Sequence, residues 1–316
     1  MDFSDVNICF FGSSSFSVES LELLHKNNFN IKLVITQSPK KSGRGQSINN
    51  TPVFNWAKKK KIEVIAEKKT EDQMASVLQS LKLDFIVVVA FGQIISEKIL
   101  NLPKFSSLNV HASLLPKWRG AAPIQRAILN GDKKTGVSIM QVVKELDAGP
   151  VILQKKIDIN LTDTAGFIHD KLATLGSEAL LESIKLILRE KVSALPQNHS
   201  LSSYALKISK SESKINWADS AQKINNLIRA FNPWPGAWSN SLENQKIIRF
   251  KILDVDIVEN VTDEVNLNVI GFCDNSLIVK CGNGFIKIKK LQKEGKKIMN
   301  RQEFLNGNKF KNIKFI

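Results

Sequence analysis

The 316-residue sequence lacks the features that define several large classes of protein. Its three cysteines, Cys9, Cys273 and Cys281, are odd in number and lack the spacing of metal ligands, which indicates reduced thiols rather than a disulfide framework. The apolar run over residues 85–91 is far shorter than the roughly 20 residues that a membrane-spanning helix needs. The first residues carry no basic segment of a secretory signal. We therefore expect a cytoplasmic protein without a membrane partner.

Several catalytic motifs are missing as well. The spacing G-x-G-x-x-G is absent after the first predicted strand, where Gly12-Ser13-Ser14-Ser15 stands instead, so we expect these serines to cap a helix rather than to bind a dinucleotide. Neither H-E-x-x-H nor a cysteine cluster is present, and we expect no metal site. No serine or cysteine lies in a recognisable nucleophile elbow, which favours direct transfer between two bound substrates over a covalent intermediate.

The pattern of apolar runs predicts an α/β fold with two domains. A chain of 316 residues exceeds the roughly 250–300 residues that one hydrophobic core usually supports. Over residues 7–91, continuous apolar runs alternate with helix-like stretches, which is typical of a mainly parallel sheet covered on both faces. We predict a catalytic domain over residues 1–192, a linker over 193–210, and a small β-barrel domain over 211–316, where short β-like runs and turn signals follow one helix.

Asn109 and His111 stand two residues apart, where an apolar strand is predicted to end. Because strand side chains alternate between two faces, we expect the amide and the imidazole to lie side by side. Asp147 follows a second apolar run, so one sheet edge can hold all three side chains. When an amine attacks a carbonyl carbon, Asn109 and a protonated His111 can donate hydrogen bonds to the oxyanion, while Asp147 orients His111 or a bridging water and accepts the proton. The alternative is a structural Asn–His pair beside a turn.

The net charge of +15 is concentrated towards one end of the chain. Residues 276–316 hold 11 Lys and Arg against 2 Asp and Glu, whereas residues 193–275 hold 8 against 9. Apolar and basic residues alternate over 285–289, which predicts a strand with Ile286 and Ile288 inward and lysines on the solvent face. The pattern indicates a surface for a polyanion, and a merely solvated lysine face is the alternative.

A second basic segment covers residues 38–50, which are polar and contain two glycines. It separates a predicted strand from a predicted helix. Loops longer than about 12 residues inside a compact domain are usually functional or disordered. We therefore predict a long mobile loop with a functional role.

Five blocks of the sequence resemble the methionyl-tRNA formyltransferase family. They are residues 42–45 (SGRG), 109–116 (NVHASLLP), 117–125 (KWRGAAPIQ), 146–149 (LDAG) and 229–238 (RAFNPWPGAW). The block over 109–116 is shared by folate-dependent formyltransferases in general, and the C-terminal block narrows the resemblance. The similarity covers essentially the whole chain and implies a Rossmann-like formyltransferase domain, a linker and an OB-like barrel.

The resemblance implies an enzyme that transfers the formyl group of 10-formyltetrahydrofolate to the amino group of methionyl initiator tRNA, for translation initiation. Its catalytic residues are then Asn109, His111 and Asp147. The implied folate-binding residues are Ser113, Leu114, Leu115 and Pro116, with Phe91 and Gly92 at the pterin pocket.

The resemblance also implies contacts with tRNA. The loop over residues 38–50 is expected to enter the acceptor-stem end, with Arg44 as its main contact, while Lys287 and Lys289 position the tRNA through its phosphates. One departure is the turn after the first strand, where the family commonly has Gly-Thr-Pro and this chain has serines at 13–15. We expect a monomer.

Two other functions fit parts of the pattern. A folate-dependent formyltransferase that acts on a small amine, such as a nucleotide sugar or a purine intermediate, shares several of the blocks, but the basic segment over 276–316 argues against a small acceptor. A tRNA-binding protein that has lost transferase activity is the other possibility. It is disfavoured because Asn109, His111 and Asp147 are all present.

Overall fold

The computed structural model describes residues 3–42, 47–66, 71–243, 246–258, 269–273, 276–307 and 313–316. The chain divides into two compact units, each with its own apolar core. Unit 1 comprises Met1–Pro123, Lys134–Asp158 and His169–Ala205, and unit 2 comprises Ile124–Lys133, Ile159–Ile168 and Leu206–Ile316.

Unit 1 is built around a seven-stranded sheet. The strands of this unit are β1 (Asn7–Gly12), β2 (Asn30–Ile35), β3 (Lys40–Ser42), β4 (Ser47–Asn49), β5 (Val64–Ile65), β6 (Phe85–Val89), β7 (Ser106–His111), β8 (Arg119–Gly120), β9 (Lys134–Gln141), β10 (Val151–Asp158) and β11 (Tyr204–Ala205). The order across the main sheet is β10, β9, β7, β6, β1, β2, β5. Strands β7, β6, β1, β2 and β5 run parallel, and β9 and β10 add an antiparallel edge. The predicted mainly parallel α/β sheet is confirmed.

The helices of the described residues are α1 (Ser15–Lys26), α2 (Pro52–Lys59), α3 (Glu71–Ser80), α4 (Glu97–Leu100), α5 (Pro123–Asn130), α6 (Ala165–Leu188), α7 (Ala221–Ala230) and α8 (Arg301–Gly307). Helix α2 shows how local sequence sets their ends. Thr51 Oγ1 accepts a hydrogen bond of 3.1 Å from the backbone N–H of Phe54, and Pro52 fits the first turn. Lys58 and Lys59 end the helix, where cations interact favourably with its dipole.

The central strands are apolar because both faces of a parallel sheet are covered. Phe85, Ile86 and Val87 in β6 are fully buried. Strand β6 pairs with β7 so that Val88 lies beside Asn109. The end of β7 therefore carries polar side chains at the carboxyl edge of the parallel strands, which is where ligands bind in open α/β sheets.

Unit 2 contains an antiparallel sheet that curls into a small barrel. Its strands are β12 (Trp238–Glu243), β13 (Lys246–Val258), β14 (Phe272–Cys273), β15 (Ile278–Lys280), β16 (Phe285–Lys293), β17 (Met299–Asn300) and β18 (Ile313–Lys314). The order is β12, β13, β16, β15, β14, β18, and β17 pairs with β16. Beyond β18, Phe315 pairs with Ser241, and Ile316 N donates a 2.8 Å hydrogen bond to Asn240 O, so the two edges meet. The predicted β-barrel is confirmed.

The core of unit 2 agrees with the alternation in its basic strand. Ile286 and Ile288 of β16 are fully buried, as predicted. Helix α7 contributes Ile224 and Ile228 to the same core, where Phe250 of β13 lies. Lys287, which lies between the two isoleucines, and Lys289, which follows them, consequently point to the other face of the sheet.

Two segments predicted as irregular carry structure. Within residues 38–50, β3 and β4 pair as an antiparallel hairpin, with Lys41 opposite Ile48. Its sequence lacks the alternation of apolar and polar residues by which a half-buried strand is recognised. Within 193–210, a 3₁₀ turn covers His199–Leu201 and β11 pairs with β8. The boundaries over 1–192, 193–210 and 211–316 stay predictions.

Candidate active site

The carboxylate of Asp147 lies at the centre of the candidate site in unit 1. Its Oδ1 accepts a hydrogen bond of 3.4 Å from Asn109 Nδ2, and its Oδ2 is 3.6 Å from His111 Nδ1. Oδ2 also accepts a 2.7 Å hydrogen bond from the backbone N–H of Gly120. The structure thus brings together the three side chains that the sequence predicts at one sheet edge.

The ring of His111 is buried between two acceptors. Its Nε2 is 2.9 Å from the carbonyl oxygen of Trp118. Because a carbonyl oxygen only accepts hydrogen bonds, this contact places a proton on Nε2. The other ring nitrogen faces the Asp147 carboxylate, so His111 and Asp147 together can hold one further proton between them.

Strand β7 fixes the positions of Asn109 and His111. In its pairing with β9, Asn109 lies opposite Met140 and His111 opposite Ser138. The intervening residue, Val110, points to the other face and is buried. The period of two therefore puts the amide and the imidazole on one face, within reach of the same carboxylate.

Asp147 lies in the connection between β9 and β10 and has a backbone φ of 50°. This left-handed conformation costs roughly 1–2 kcal/mol for a residue with a Cβ and persists where surrounding contacts determine it. The connection is closed by a 2.9 Å hydrogen bond from Gln141 N to Pro150 O. Two residues after Asp147 in this tight loop, Gly149 packs against the backbone: a Cβ there would overlap the carbonyl oxygen of Gln141 and lie 2.9 Å from its carbonyl carbon.

We expect Gly149→Ala to lower the free energy of unfolding by about 3 kcal/mol, the upper end of ordinary overpacking, because a backbone carbonyl cannot move aside like a side chain. Chemical denaturation measures the change. The control is Gly295→Ala: this position has open space around it and a φ of 74°. The control should cost only about 1 kcal/mol from backbone strain. Equal losses in the two variants would contradict the tight packing at Gly149.

The Ser-Leu-Leu-Pro segment after His111 is held from inside the protein. Ser113 is fully buried, and its Oγ donates a 2.6 Å hydrogen bond to Lys117 O. Ser138 Oγ donates to Ser113 O at 2.6 Å and accepts from Leu115 N at 3.0 Å. Gln154 Nε2 donates to Leu115 O at 2.9 Å. Ser113 and Leu115 thus hold the segment in shape.

The other two residues of that segment, Leu114 and Pro116, are partly exposed. The Leu114 side chain packs beside Gly136: a Cβ added to Gly136 would lie too close to Leu114 Cδ2. Folate binding by the four residues over 113–116 stays a prediction.

Phe91 and Gly92 follow β6 at the carboxyl edge of the sheet. Phe91 is 6% exposed and lines a pocket of about 290 Å³ with Phe11, Ile35 and Met74. Gly92 is exposed and has a φ of 73°, a conformation that favours glycine. The pocket combines these apolar side chains with polar ones, among them Thr36, Glu71 and Gln93, and such a mixture fits a flat heteroaromatic ring that carries hydrogen-bonding groups. The side chains around Phe91 are therefore compatible with the pterin predicted to lie here.

The serine turn after β1 forms hydrogen bonds to the loops that follow β2 and β6 at the carboxyl edge of the sheet. Ser13 Oγ is 3.4 Å from Phe91 O and accepts a 3.2 Å hydrogen bond from Gln37 N. Gln37 Nε2 donates to the same Phe91 carbonyl at 2.5 Å. Ser14 is the N-terminal cap residue of α1, but its side chain makes no capping hydrogen bond. The serine turn thus braces the Phe91 loop instead of capping the helix through Ser14.

In the described part of the chain, His, Cys, Asp and Glu side chains do not come together in groups of three or more that suit a metal ion. Among the same residues, each helix is too short or too polar to cross a membrane.

Comparison with known proteins identifies the family. The formyl transferase family model matches residues 6–184, and the model of the formyl transferase C-terminal domain matches residues 207–309. Methionyl-tRNA formyltransferase of Alkaliphilus oremlandii is 41% identical over 304 residues, which cover 96% of this chain and 97% of the relative. The chain belongs to the methionyl-tRNA formyltransferase family.

Other similarities agree with membership of the methionyl-tRNA formyltransferase family. Methionyl-tRNA formyltransferase of Sulfurihydrogenibium sp. is 39% identical over 309 residues, which cover 97% of this chain and 98% of the relative. The crystal structure of the sugar 3N-formyl transferase WlaRD, in the presence of dTDP and 5-N-formyl-THF, has a TM-score of 0.64 and 24% identity. It covers 92% of this chain and 99% of WlaRD. At 24% identity, the similarity to WlaRD shows that the two proteins share a fold.

The block over 229–238 has a structural role in unit 2 of this family member. Arg229 is buried in α7, and its Nη1 donates hydrogen bonds to Asn160 O at 3.1 Å and Asp163 O at 2.9 Å. Burial lowers the pKa of its guanidinium. Asn232 Nδ2 donates to Leu253 O at 2.9 Å. The block therefore joins the 159–168 segment and β13 to α7.

The predicted tRNA contacts have different surroundings. Arg44 lies outside the described residues. Lys289 Nζ is 2.9 Å from Asp256 Oδ1 and 3.3 Å from Asp254 Oδ1, and the hydrogen bond to Asp256 raises the pKa of Lys289. Lys287 lies opposite Asp256 in the β13–β16 ladder. A phosphate at Lys289 therefore competes with two carboxylates.

Three contacts to the site do not follow from residue types in the sequence. They are the Gly120 N–H on Asp147, the Trp118 carbonyl on His111, and the amide of Gln197, whose Nε2 donates to Asp147 O at 2.9 Å. Two of them are backbone groups, which any residue carries. The only signal was that Trp118 and Gly120 fall within the block over 117–125.

Proposed function

We propose that this protein transfers the formyl group of 10-formyltetrahydrofolate to the α-amino group of methionine esterified to initiator tRNA. The observation that carries the proposal is the Asp147 carboxylate between Asn109 and His111, in a chain similar over 96% of its length to methionyl-tRNA formyltransferases. This is the chemistry of translation initiation. We propose that the protein acts as a monomer in the cytoplasm.

Asn109 supplies the donor for the oxyanion. Bound 10-formyltetrahydrofolate provides the formyl carbon that the amine attacks. The side-chain amide of Asn109 has two N–H donors, and its 3.4 Å contact with Asp147 occupies one direction. The other direction is available to hydrogen bond the developing oxyanion. One such donor typically lowers the barrier by about 3 kcal/mol.

After the neutral amine has attacked the formyl carbon, its nitrogen is positively charged and must lose a proton, and Asp147 beside His111 takes up that proton. The Asp147 carboxylate accepts it and becomes neutral, with His111 Nδ1 3.6 Å away. The same proton is passed to N10 of the folate as the bond between N10 and the formyl carbon breaks, so tetrahydrofolate leaves and Asp147 is a carboxylate again. The Gly120 N–H on Oδ2 and Asn109 on Oδ1 hold the carboxylate in one orientation. Since His111 Nε2 is directed to the Trp118 carbonyl, the imidazole in this arrangement supports Asp147 rather than the oxyanion.

The folate is proposed to lie against the loop of Phe91 and Gly92, beside the segment over residues 113–116. The apolar lining around Phe91 and the exposed backbone of Gly92 support this placement. The buried hydrogen bonds of Ser113 and Leu115 support a role in keeping the segment rigid beneath the ligand.

The tRNA is proposed to contact Lys287, Lys289 and Arg44 through its phosphates. Lys287→Gln should reduce the slope of log affinity against log salt by about 1, the value for one lost phosphate contact. Lys289→Gln should reduce it less, because Asp254 and Asp256 already neutralise that ammonium. Filter binding of initiator tRNA over a range of salt concentrations measures both slopes.

Lys223→Gln is the matched control, because Lys223 is also paired with an aspartate in unit 2, Asp219, at 2.8 Å. Its slope should equal that of the unaltered protein. Unchanged slopes in the Lys287 and Lys289 variants would favour the solvated-face interpretation of the basic strand.

The proposed reaction is tested by formyl transfer from 10-formyltetrahydrofolate to charged initiator tRNA. Charged elongator methionyl-tRNA and an amino sugar nucleotide serve as parallel acceptors. We expect rapid formylation of the initiator alone. If the protein readily formylates the small amine but does not formylate the tRNA, the small-acceptor alternative replaces the proposal. Binding of tRNA without any transfer would indicate the inactive tRNA-binding alternative.

A further inference from the structure

Residues 195–205 lie against the catalytic loops of unit 1, although their sequence is that of a linker. Leu195 and Val151 exchange two backbone hydrogen bonds of 2.8 Å. Farther along, Arg119 N donates to Ser203 O at 2.8 Å, and Ala121 N donates to Ala205 O at 2.9 Å. This 195–205 segment therefore runs alongside both the β8 turn and the start of β10.

Gln197 stands within this segment and contacts the Asp147 loop directly. The residue is 8% exposed. Its Nε2 donates hydrogen bonds to Asp147 O at 2.9 Å and to Gly149 O at 2.8 Å. Its Oε1 accepts from Arg119 Nη2 at 2.8 Å and Arg119 Nε at 3.2 Å. Both N–H groups and both lone pairs of the amide are thus used.

Arg119 completes the chain of contacts. It is 1% exposed, and burial of a charged guanidinium is unfavourable unless hydrogen bonds and opposite charges compensate it. Its Nη1 is 3.6 Å from the Glu145 carboxylate and 3.5 Å from His199 Nδ1. A cation that donates to Oε1 of Gln197 polarises the amide and strengthens the hydrogen bonds that its N–H groups make.

The contacts act where the loop is strained. Asp147 has a φ of 50°, and Gln197 holds the carbonyls on both sides of Ala148. Conformations of this kind persist when neighbouring groups determine them. With the loop backbone fixed by Gln197 and the carboxylate fixed by Gly120 N–H, Asp147 has little freedom to leave Asn109 and His111.

We propose that Gln197, supported by the buried Arg119, is a positioning residue that fixes the Asp147 backbone so that the carboxylate meets Asn109 and His111. The inference rests on the proposed formyl transfer at Asp147. Gln197 lies within the linker that the sequence predicts over residues 193–210. The inference therefore gives part of that predicted linker a role in the reaction.

The decisive variant is Gln197→Glu. It keeps the shape of the side chain and still partners Arg119, but it places one carboxylate oxygen where the NH2 group faced the carbonyls of Asp147 and Gly149. We expect kcat to fall by about 30-fold, since small displacements of a catalytic group cost up to about 100-fold. The KM values for folate and tRNA should change less than about twofold, because Gln197 touches neither ligand in the proposed site.

Ser239→Ala is the control for loss of a buried hydrogen bond. Ser239 is fully buried in unit 2 and accepts a 2.9 Å hydrogen bond from Trp217 Nε1. Its loss should lower the melting temperature and leave kcat per folded molecule unchanged. If Gln197 had only a structural role, its variant would likewise have a lower melting temperature and an unchanged kcat per folded molecule. Should Gln197→Glu fail to fold, Gln197→Asn, which keeps the amide but is one methylene shorter, is measured instead.

Wild-type kcat in the folded Gln197→Glu variant would overturn the inference, as would a loss confined to KM. These outcomes leave the proposed function intact, because the unaltered protein still formylates initiator tRNA. If the unaltered protein formylates only a small amine, the proposed function fails. The same comparison of kcat is then made with that acceptor and decides the role of Gln197 separately.

Discussion

Replacing Asp147 by asparagine is expected to lower kcat for formyl transfer by about 10³-fold, within the range for loss of a positioned general base. The amide cannot accept the proton that the methionine nitrogen carries after its attack on the formyl carbon. The variant also lacks the negative charge that faces His111 Nδ1 at 3.6 Å. An amide NH2 can also be directed at Gly120 N–H, which needs an acceptor at 2.7 Å. Single-turnover formylation of charged initiator tRNA measures the effect.

Asp158→Asn is the matched control for the Asp147 variant, because Asp158 is an exposed aspartate at the end of β10. It should have the kcat of the unaltered protein. The affinity of the Asp147 variant for tRNA should also be unchanged, since the substitution removes no basic group. A variant that retains more than about a tenth of the activity would exclude Asp147 as the proton acceptor.

Replacing Asn109 by alanine is expected to lower kcat by about 10²–10³-fold, the usual cost of deleting one oxyanion donor. The amide is also a hydrogen-bond donor to Asp147 Oδ1, at 3.4 Å, so the carboxylate loses one of its restraints. The KM for tRNA should change little, because an oxyanion donor acts mainly in the transition state. Steady-state kinetics with both substrates varied separates kcat from KM.

Asn130→Ala is the control for the Asn109 variant: Asn130 is exposed, and its Nδ2 donates to Asp132 Oδ1 at 2.6 Å. It should leave kcat unchanged. The double variant at Asn109 and Asp147 should lose less than the product of the two single losses, because the two side chains touch and act on the same step. Fully multiplicative losses would indicate two independent roles and contradict the shared arrangement.

Together with the assay on initiator tRNA, these variants separate the three functions considered. Loss of transfer with retained tRNA affinity supports a catalytic site at Asp147. Unaltered transfer in both variants would move the chemistry elsewhere in the molecule. The small-acceptor alternative is decided by the acceptor assay, and the salt dependence of tRNA binding decides whether the basic strand over 285–289 meets phosphates.

The sequence predicted the sheet because strands that are buried on both faces consist of continuous apolar residues. Continuous apolar runs such as Phe85–Val89 became parallel strands, and the alternation around Ile286 and Ile288 became a strand of the barrel. It also predicted that Asn109 and His111 share a face, because a period of two is a property of any strand. The pairing of β7 with β6 and β9 confirms the strand on which this rests.

The sequence did not predict the hairpin of β3 and β4 or the role of the 195–205 segment. Both lack apolar periodicity and are held by hydrogen bonds of the backbone or of single polar side chains. Lys289 is a related case. The sequence shows only its positive charge, whereas in the fold it forms ion pairs with two carboxylates on the neighbouring strand.

By itself, the sequence determined the α/β class, the barrel and the three side chains of the candidate site. It did so because burial, strand periodicity and residue chemistry are local properties of the chain. Only the tertiary structure decided how Asp147 is held: by the backbone N–H of Gly120 and by Gln197, which is backed by a buried arginine. These groups lie 27 and 50 residues away from Asp147, and contacts at such separations depend on how the strands and loops pack.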